Sequence, residues 1–163
     1  MPQSVHHRRA RSVGLTLVEV MVVVAILAII AAIAGPNLRP LVQRWRVDAT
    51  ANELASGLRL ARQEALRRNN GVEFCTVNNV YLVRTVNTAP PDIKQETLRN
   101  DINVQSNVPP NNGLSCITYR GDGFPRSGLA PGTRPTWTVT TGAAARSVCV
   151  TPARIEVVNG NCP

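Results

Sequence analysis

Residues 15–35 of the chain read LTLVEVMVVVAILAIIAAIAG, and this stretch decides the fold. At ~1.5 Å per residue, a helix of this length covers the ~30 Å hydrocarbon core of a membrane. The polar segment before it, residues 1–14, holds three arginines and both histidines of the chain. Positive charge on this side predicts that the N-terminus stays in the cytoplasm while the rest of the chain lies across the membrane.

Glu19 is the unusual residue of this apolar run. A carboxylate inside a membrane segment costs roughly 2.5–3.5 kcal/mol, and neither a secretory signal peptide nor a plain anchor has a use for it. If the chain is cut after Gly14, the new α-amine of Leu15 lies one helical turn from Glu19. Such an amine, on this chain or a neighbouring one, would neutralise the carboxylate. The alternatives are a signal peptide cut at residues 32–34 (AIA) and an uncleaved anchor.

The segment around Gly14 resembles the class III signal of type IV pilins and type II secretion pseudopilins. That signal has Gly before the cut, then an apolar or aromatic residue, Thr second and Glu fifth. Here the residues are Gly14, Leu15, Thr16 and Glu19, with Leu15 where Phe is usual. The resemblance implies that a prepilin peptidase cuts after Gly14 and methylates Leu15, that Glu19 serves assembly, and that Pro36 kinks the helix.

Helical periodicity continues beyond the apolar run. Apolar or small residues recur at the i, i+3, i+4, i+7 spacing of an amphipathic helix. They are Val47, Ala51, Leu54, Ala55, Leu58, Ala61 and Ala65. Asn69-Asn70-Gly71 then forms a stop signal. The pattern predicts a helix from about Leu15 to Arg68, bent at Pro36 and Pro40. Residues 36–68 are its amphipathic continuation, and residues 47–68 are expected to pack on a sheet.

The chain after the stop signal, residues 69–163, has the character of a β-rich domain. Val72 to Val77 and Val80 to Val86 predict two strands joined by a tight turn at Asn78-Asn79. Further strands are predicted at residues 101–105, 114–120, 136–141, 146–151 and 155–158, with a turn at 121–125. The fold class is therefore α+β: a long N-terminal helix, apolar in its first half, packed against a C-terminal antiparallel β-sheet domain.

Features of this domain resemble the FimT/FimU/GspH-type minor pilins. They are the helix end at residues 60–65 (LARQEA), a first strand with Cys75, the Gly-Asp-Gly-Phe turn at 121–124, and a final hairpin with Ala153-Arg154 in place of Gly-Arg. The resemblance implies a structural subunit near the tip of a type IV pilus of a Gram-negative bacterium. Such a subunit spans the inner membrane once, with its domain in the periplasm, before it joins other pilin subunits through its helix.

Three other functions remain open at this point. The nearest is a minor pseudopilin of the type II secretion system, because both filaments assemble in the same way. Another is a pilus-associated receptor for DNA uptake. The most distant is a secreted soluble β-protein released by signal peptidase I.

The four cysteines, Cys75, Cys116, Cys149 and Cys162, all follow the apolar run, on the side where disulfides persist. Four cysteines allow three pairings. A hairpin that turns near residues 152–153 brings Cys149 close to Cys162 and favours this bond, worth ~3 kcal/mol. Cys75–Cys116 then follows by elimination. A four-thiolate zinc site and free buried thiols for the first pair are the alternatives.

Enzyme chemistry is not expected. After a cut at Gly14 the chain has no histidine, which excludes Ser-His-Asp and Cys-His catalysis and any His-ligated metal. The motifs of zinc proteases and P-loops are missing from the sequence, and Gly121-Asp122-Gly123 lacks the later oxygen ligands of a calcium loop. We expect no cofactor and no metal.

Binding of DNA is possible but not favoured. Some FimT-like minor pilins are associated with DNA uptake through basic residues of the C-terminal hairpin, which makes Arg146 and Arg154 the candidates here. Removal of residues 1–14 leaves 15 basic against 10 acidic residues, a moderate surplus. Glu156 stands where a second cation would contact phosphate, and few aromatic residues interleave the arginines.

Overall fold

The computed structural model describes residues 16–86 and 93–163, without the side chains of residues 34–37. The expected cleavage site at Gly14 and Leu15 lies outside the described residues, and so does the side chain of Pro36, the expected kink. The chain divides into two compact units, Met1–Arg39 and Pro40–Pro163.

A single α-helix, α1, runs over Leu17–Arg68 and contains 52 residues. It ends at the predicted residue, because Asn69 has a φ of 47° and Asn70 donates its N–H to the carbonyl of Ala65 at 3.3 Å. Within the described ranges, neither of the segments Leu17–Ile33 and Leu38–Arg68 is by itself long and apolar enough to cross a membrane. The two segments meet that test only when they are taken together.

The described part of the chain after the helix contains nine strands. They are β1 (Val72–Val77), β2 (Val80–Thr85), β3 (Lys94–Thr97), β4 (Asn103–Ser106), β5 (Ser115–Tyr119), β6 (Pro125–Arg126), β7 (Thr136–Thr141), β8 (Ala144–Val150) and β9 (Ile155–Val158). One sheet has the order β3-β2-β1-β5-β6 and the other has the order β4-β7-β8-β9, with all neighbours antiparallel.

The region after β2 differs from its prediction. The sequence predicted one short strand around residues 101–105, whereas the structure has β3 and β4. β3 reads KQET, without the apolar alternation that signals a strand, and it forms because its backbone pairs with β2. The predicted turn at Asn78-Asn79 is confirmed, since both residues have the positive φ of a tight hairpin.

The predicted apolar stripe of the helix forms the centre of the domain core. All seven of its residues, from Val47 to Ala65, are fully buried. They pack with the largest buried side chains of the sheets, which are Trp137, Tyr81, Tyr119 and Phe74. The helix approaches the sheet most closely at Gly57, where a Cβ would lie 2.8 Å from ring atoms of both Phe74 and Tyr81. The long helix therefore packs on antiparallel sheets, as predicted.

Candidate assembly and nucleic-acid sites

The first part of the helix exposes its apolar side chains around its whole circumference. The large apolar side chains between Leu17 and Ile33 are between 48% and 76% exposed. A helix that is apolar all round needs lipid or other helices to cover it. This segment therefore has an apolar surface that the described residues leave uncovered.

Glu19 lies in the first turn of this helix. Its backbone N–H donates to the hydroxyl Oγ1 of Thr16 at 3.2 Å, which makes Thr16 the N-cap. Thr-x-x-Glu is the spacing of a capping box, and a carboxylate at this position is also stabilised by the helix dipole. The sequence analysis missed this local role of Thr16, although the spacing was a signal for it. Glu19 thus has a structural reason for its position as well as the expected assembly role.

The two arginines expected to contact DNA already have acidic partners. Nε of Arg146, on β8, lies 2.5 Å from Oδ1 of Asp48 on the helix. Arg154, in the turn before β9, forms an ion pair with Glu156 on the same hairpin. Each pair holds the guanidinium beside a carboxylate that would repel phosphate. The structure therefore places Arg146 and Arg154 in internal ion pairs.

The other arginines of the C-terminal third are mostly engaged as well. Arg120 pairs with Asp122 at 3.0 Å, and Arg134 donates to the carbonyl oxygen of Pro163. The side chain of Arg126 has neither an ion pair nor a hydrogen bond with any described residue. Among the described residues, four of the five arginines are engaged, so the set offers one unpaired cation rather than the several that a phosphate-binding surface requires.

Two helix arginines hold the final hairpin through its backbone. Arg59 donates from Nη2 to the carbonyl of Ile155, and Arg62 donates from Nη1 to the carbonyl of Ala153, both at 3.1 Å. Charged donors of this kind form the stronger class of hydrogen bond. The arginine-rich helix end therefore fixes the position of the hairpin on the domain.

All four cysteines form disulfides in the favoured pairing. Cys75 and Cys116 occupy paired positions of β1 and β5, with 4.1 Å between their Cα atoms. Cys149 on β8 is bonded to Cys162, which ties the C-terminal segment to the sheet. A thiolate zinc site and free thiols are therefore wrong for these residues. The nearby carboxylate of Glu73 forms an ion pair with Arg84 at 2.9 Å.

The geometry defines a pilin-like subunit: an apolar helical segment continues into an amphipathic one that packs on an antiparallel β-domain. The family model described as "Type II transport protein GspH" matches residues 50–154. A second model, the "Prokaryotic N-terminal methylation motif", matches residues 11–35. The chain belongs to the GspH family.

Solved structures of the type IV minor pilin FimU from Pseudomonas aeruginosa share the fold. In one crystal form the identity is 15% and the TM-score is 0.54, over 68% of this chain and 91% of FimU. In another the identity is 16% and the TM-score is 0.57, over 73% of this chain and 92% of FimU. Comparison with curated protein sequences gives no match.

The chain is therefore a minor pilin or pseudopilin, a membrane-anchored subunit that assembles with other pilin subunits. These families are structural proteins of filaments and not enzymes.

Proposed function

We propose that this chain is a minor pilin of a type IV pilus in a Gram-negative bacterium, located near the filament tip, without enzyme activity. It is made with a leader, residues 1–14, and is held in the inner membrane by residues 15–35 with its domain in the periplasm. Prepilin peptidase cuts after Gly14 and methylates Leu15. The observation that carries the proposal is the methylation motif at residues 11–35, which includes the first part of the helix, where the large apolar side chains from Leu17 to Ile33 are exposed.

Assembly exchanges lipid contacts of the helix for contacts with neighbouring helices. This exchange supplies little hydrophobic energy, because lipid tails are as apolar as the side chains, so packing and polar pairs must give specificity. Glu19 supplies such a pair. Its carboxylate is costly in lipid, and an ion pair with the N-terminal amine of a neighbour removes that cost in the filament. The pair would also set the axial register between subunits.

The main alternative is a minor pseudopilin of type II secretion, in accordance with the family description. Two features favour the pilus: the disulfide-closed C-terminal segment and the hairpin pinned by Arg59 and Arg62. A DNA receptor is disfavoured by the acidic partners of Arg146 and Arg154.

A deletion strain separates the two filament systems. We expect the deletion to reduce surface pili and twitching, with secreted enzymes unchanged, and the protein to be present in sheared pili of the complemented strain. Loss of secretion with normal piliation would instead assign the chain to the secretion pseudopilus. Complementation with Glu19→Val, which should be cleaved but not assembled, is the matched control.

A further inference from the structure

A second apolar face lies near the start of the unit Pro40–Pro163. Leu41, Val42 and Trp45 are all exposed there, and Trp45 exposes 70% of its surface. At about 100° per residue, these three side chains fall within an arc of roughly 100° on the helix, which we call the tryptophan face. Val47, fully buried in the core, points about 200° away from Trp45 by the same spacing. The tryptophan face is therefore directed away from the sheets of the domain.

A cation, Arg44, lies next to the tryptophan face. The side chain of Arg44 is exposed and has no hydrogen-bond or ion-pair partner among the described residues. The acid one turn beyond Trp45 is Asp48, whose charge is compensated by Arg146 at 2.5 Å. The net charge next to the face is therefore positive.

We propose that the tryptophan face binds the anionic lipid headgroup layer of the anchoring membrane before the subunit enters a filament. An indole ring with a polar N–H, next to aliphatic side chains and arginine, is the composition of segments that lie at a membrane interface. Anionic headgroups attract arginines that are close to the surface. A second copy of the chain would bring the same arginine to the contact, so charge favours lipid over self-association.

This inference rests on the membrane-held precursor of the proposed function and goes beyond it. Trp45 follows the apolar run 15–35 by ten residues, so the run itself does not determine its depth in the bilayer. Contact with headgroups would keep the domain at the membrane surface, where filament assembly begins. Entry into a filament would then require the face to leave the lipid.

Depth-dependent quenching of Trp45 tests the proposal on the full chain. The protein is reconstituted in phosphatidylcholine vesicles with or without phosphatidylglycerol, using lipids brominated near the headgroup or deep in the acyl chain. Trp137 is fully buried and donates to Thr76 at 3.0 Å, so it serves as a shielded background signal. We expect quenching by the shallow bromines, stronger with phosphatidylglycerol, and its loss in Trp45→Phe.

Two variants make the result specific. Arg44→Gln should remove the extra quenching caused by phosphatidylglycerol while the protein still co-floats with vesicles. Trp45→Phe with Leu66→Trp moves the reporter to another exposed position, 21 residues later and ~30 Å along the helix, where we expect no quenching.

Three results would overturn the proposal. Co-flotation with an unquenched Trp45 that emits as in water would refute it and leave the proposed function intact. Quenching that is equal in neutral and anionic vesicles, and unchanged in the arginine variant, would refute the headgroup assignment. Failure to co-float at all would refute both this inference and the membrane-held precursor.

Discussion

Arg146 on β8 and Asp48 on the helix form an ion pair with 2.5 Å between Nε and Oδ1, although 98 positions separate them in the sequence. The pair joins the second sheet to the helix near its buried stripe. It also compensates the charge of Arg146, which is a candidate for contact with a DNA phosphate. The Arg146–Asp48 ion pair thus contributes to the packing of the domain and argues against DNA binding.

The ion pairs predict how the protein behaves toward DNA. The full-length protein in detergent should not shift a labelled duplex, even at low salt. Asp48→Asn with Glu156→Gln frees Arg146 and Arg154 and should create weak binding that disappears as salt rises, with a log–log slope of at most about −2. Asp48→Asn alone should also lower the free energy of unfolding by about 1 kcal/mol, because the pair is only partly exposed.

The matched control is Arg146→Gln with Arg154→Gln, which removes the cations themselves. This variant should behave like the parent in the mobility-shift measurement. A salt-sensitive shift by the parent protein that vanishes in this variant would contradict us and would make the chain a DNA receptor.

Local patterns predicted most of the fold. The stripe from Val47 to Ala65 marks a buried helix face because its spacing matches the helical period, and Asn78-Asn79 marks a tight turn because both residues tolerate positive φ. β3 could not be predicted, since its KQET sequence depends on pairing with β2 rather than on its own propensity.

Apart from the disulfides, the candidate sites were predictable where the signal is contiguous. The methylation motif and Glu19 are readable because the residues follow one another in the sequence. The partners of Arg59, Arg62 and Arg146 are more than 90 residues away and depend on the packing of the hairpin on the helix. The sequence shows which residues are arginines, but it does not show which of these arginines already have an acidic or carbonyl partner in the folded domain.

Acid should weaken the end of the helix through Glu64. Hydrogen bonds from Arg67 and Arg68 lower the pKa of Glu64 to about 2, from an ordinary value of 4.5. Its contribution to stability is therefore fully present above about pH 4.5 and is lost as the pH falls toward 2. NMR titration of the glutamate carboxyl carbons should show this low midpoint, and it should be absent from the spectrum of Glu64→Gln.

Glu53 provides the opposite case on the same helix. Burial raises the pKa of Glu53, and the charge of Glu96 adds to this effect. Its ionised form is disfavoured in the folded state, so its contribution is greatest below the ordinary pKa and is lost as the pH rises through the folded value. Glu53→Gln should thus be neutral or stabilising at pH 7 in urea unfolding, and marked destabilisation would contradict this assignment.

Processing of the N-terminus gives a direct test of the leader. Intact-mass measurement of protein extracted from membranes should show Leu15 as the first residue, with one added methyl group. Gly14→Val should remain uncut, because a bulky side chain before the scissile bond blocks the peptidase, whereas Gly14→Ala should be cut slowly. A mature N-terminus at Gly35 would instead indicate signal peptidase I and would remove the basis of the filament function.

The last prediction separates two roles of Glu19. Glu19→Val should insert into the membrane at least as well as the parent, since a costly carboxylate is lost, and should still be cleaved. It should be scarce in sheared filaments, because it cannot pair with the N-terminus of a neighbour. The measurement is the ratio of filament to membrane protein by quantitative immunoblot.

Two further variants decide whether charge or helix capping matters. Glu19→Gln retains a residue that suits the capping box but removes the charge, so it should be as defective as Glu19→Val. Thr16→Ala removes the N-cap hydroxyl that accepts from the N–H of Glu19, at a cost of about 1 kcal/mol in helix stability, and retains the carboxylate. It should therefore assemble nearly as well as the parent. Normal assembly of Glu19→Gln together with failure of Thr16→Ala would show that Glu19 acts by capping the helix and not by pairing with a neighbouring subunit.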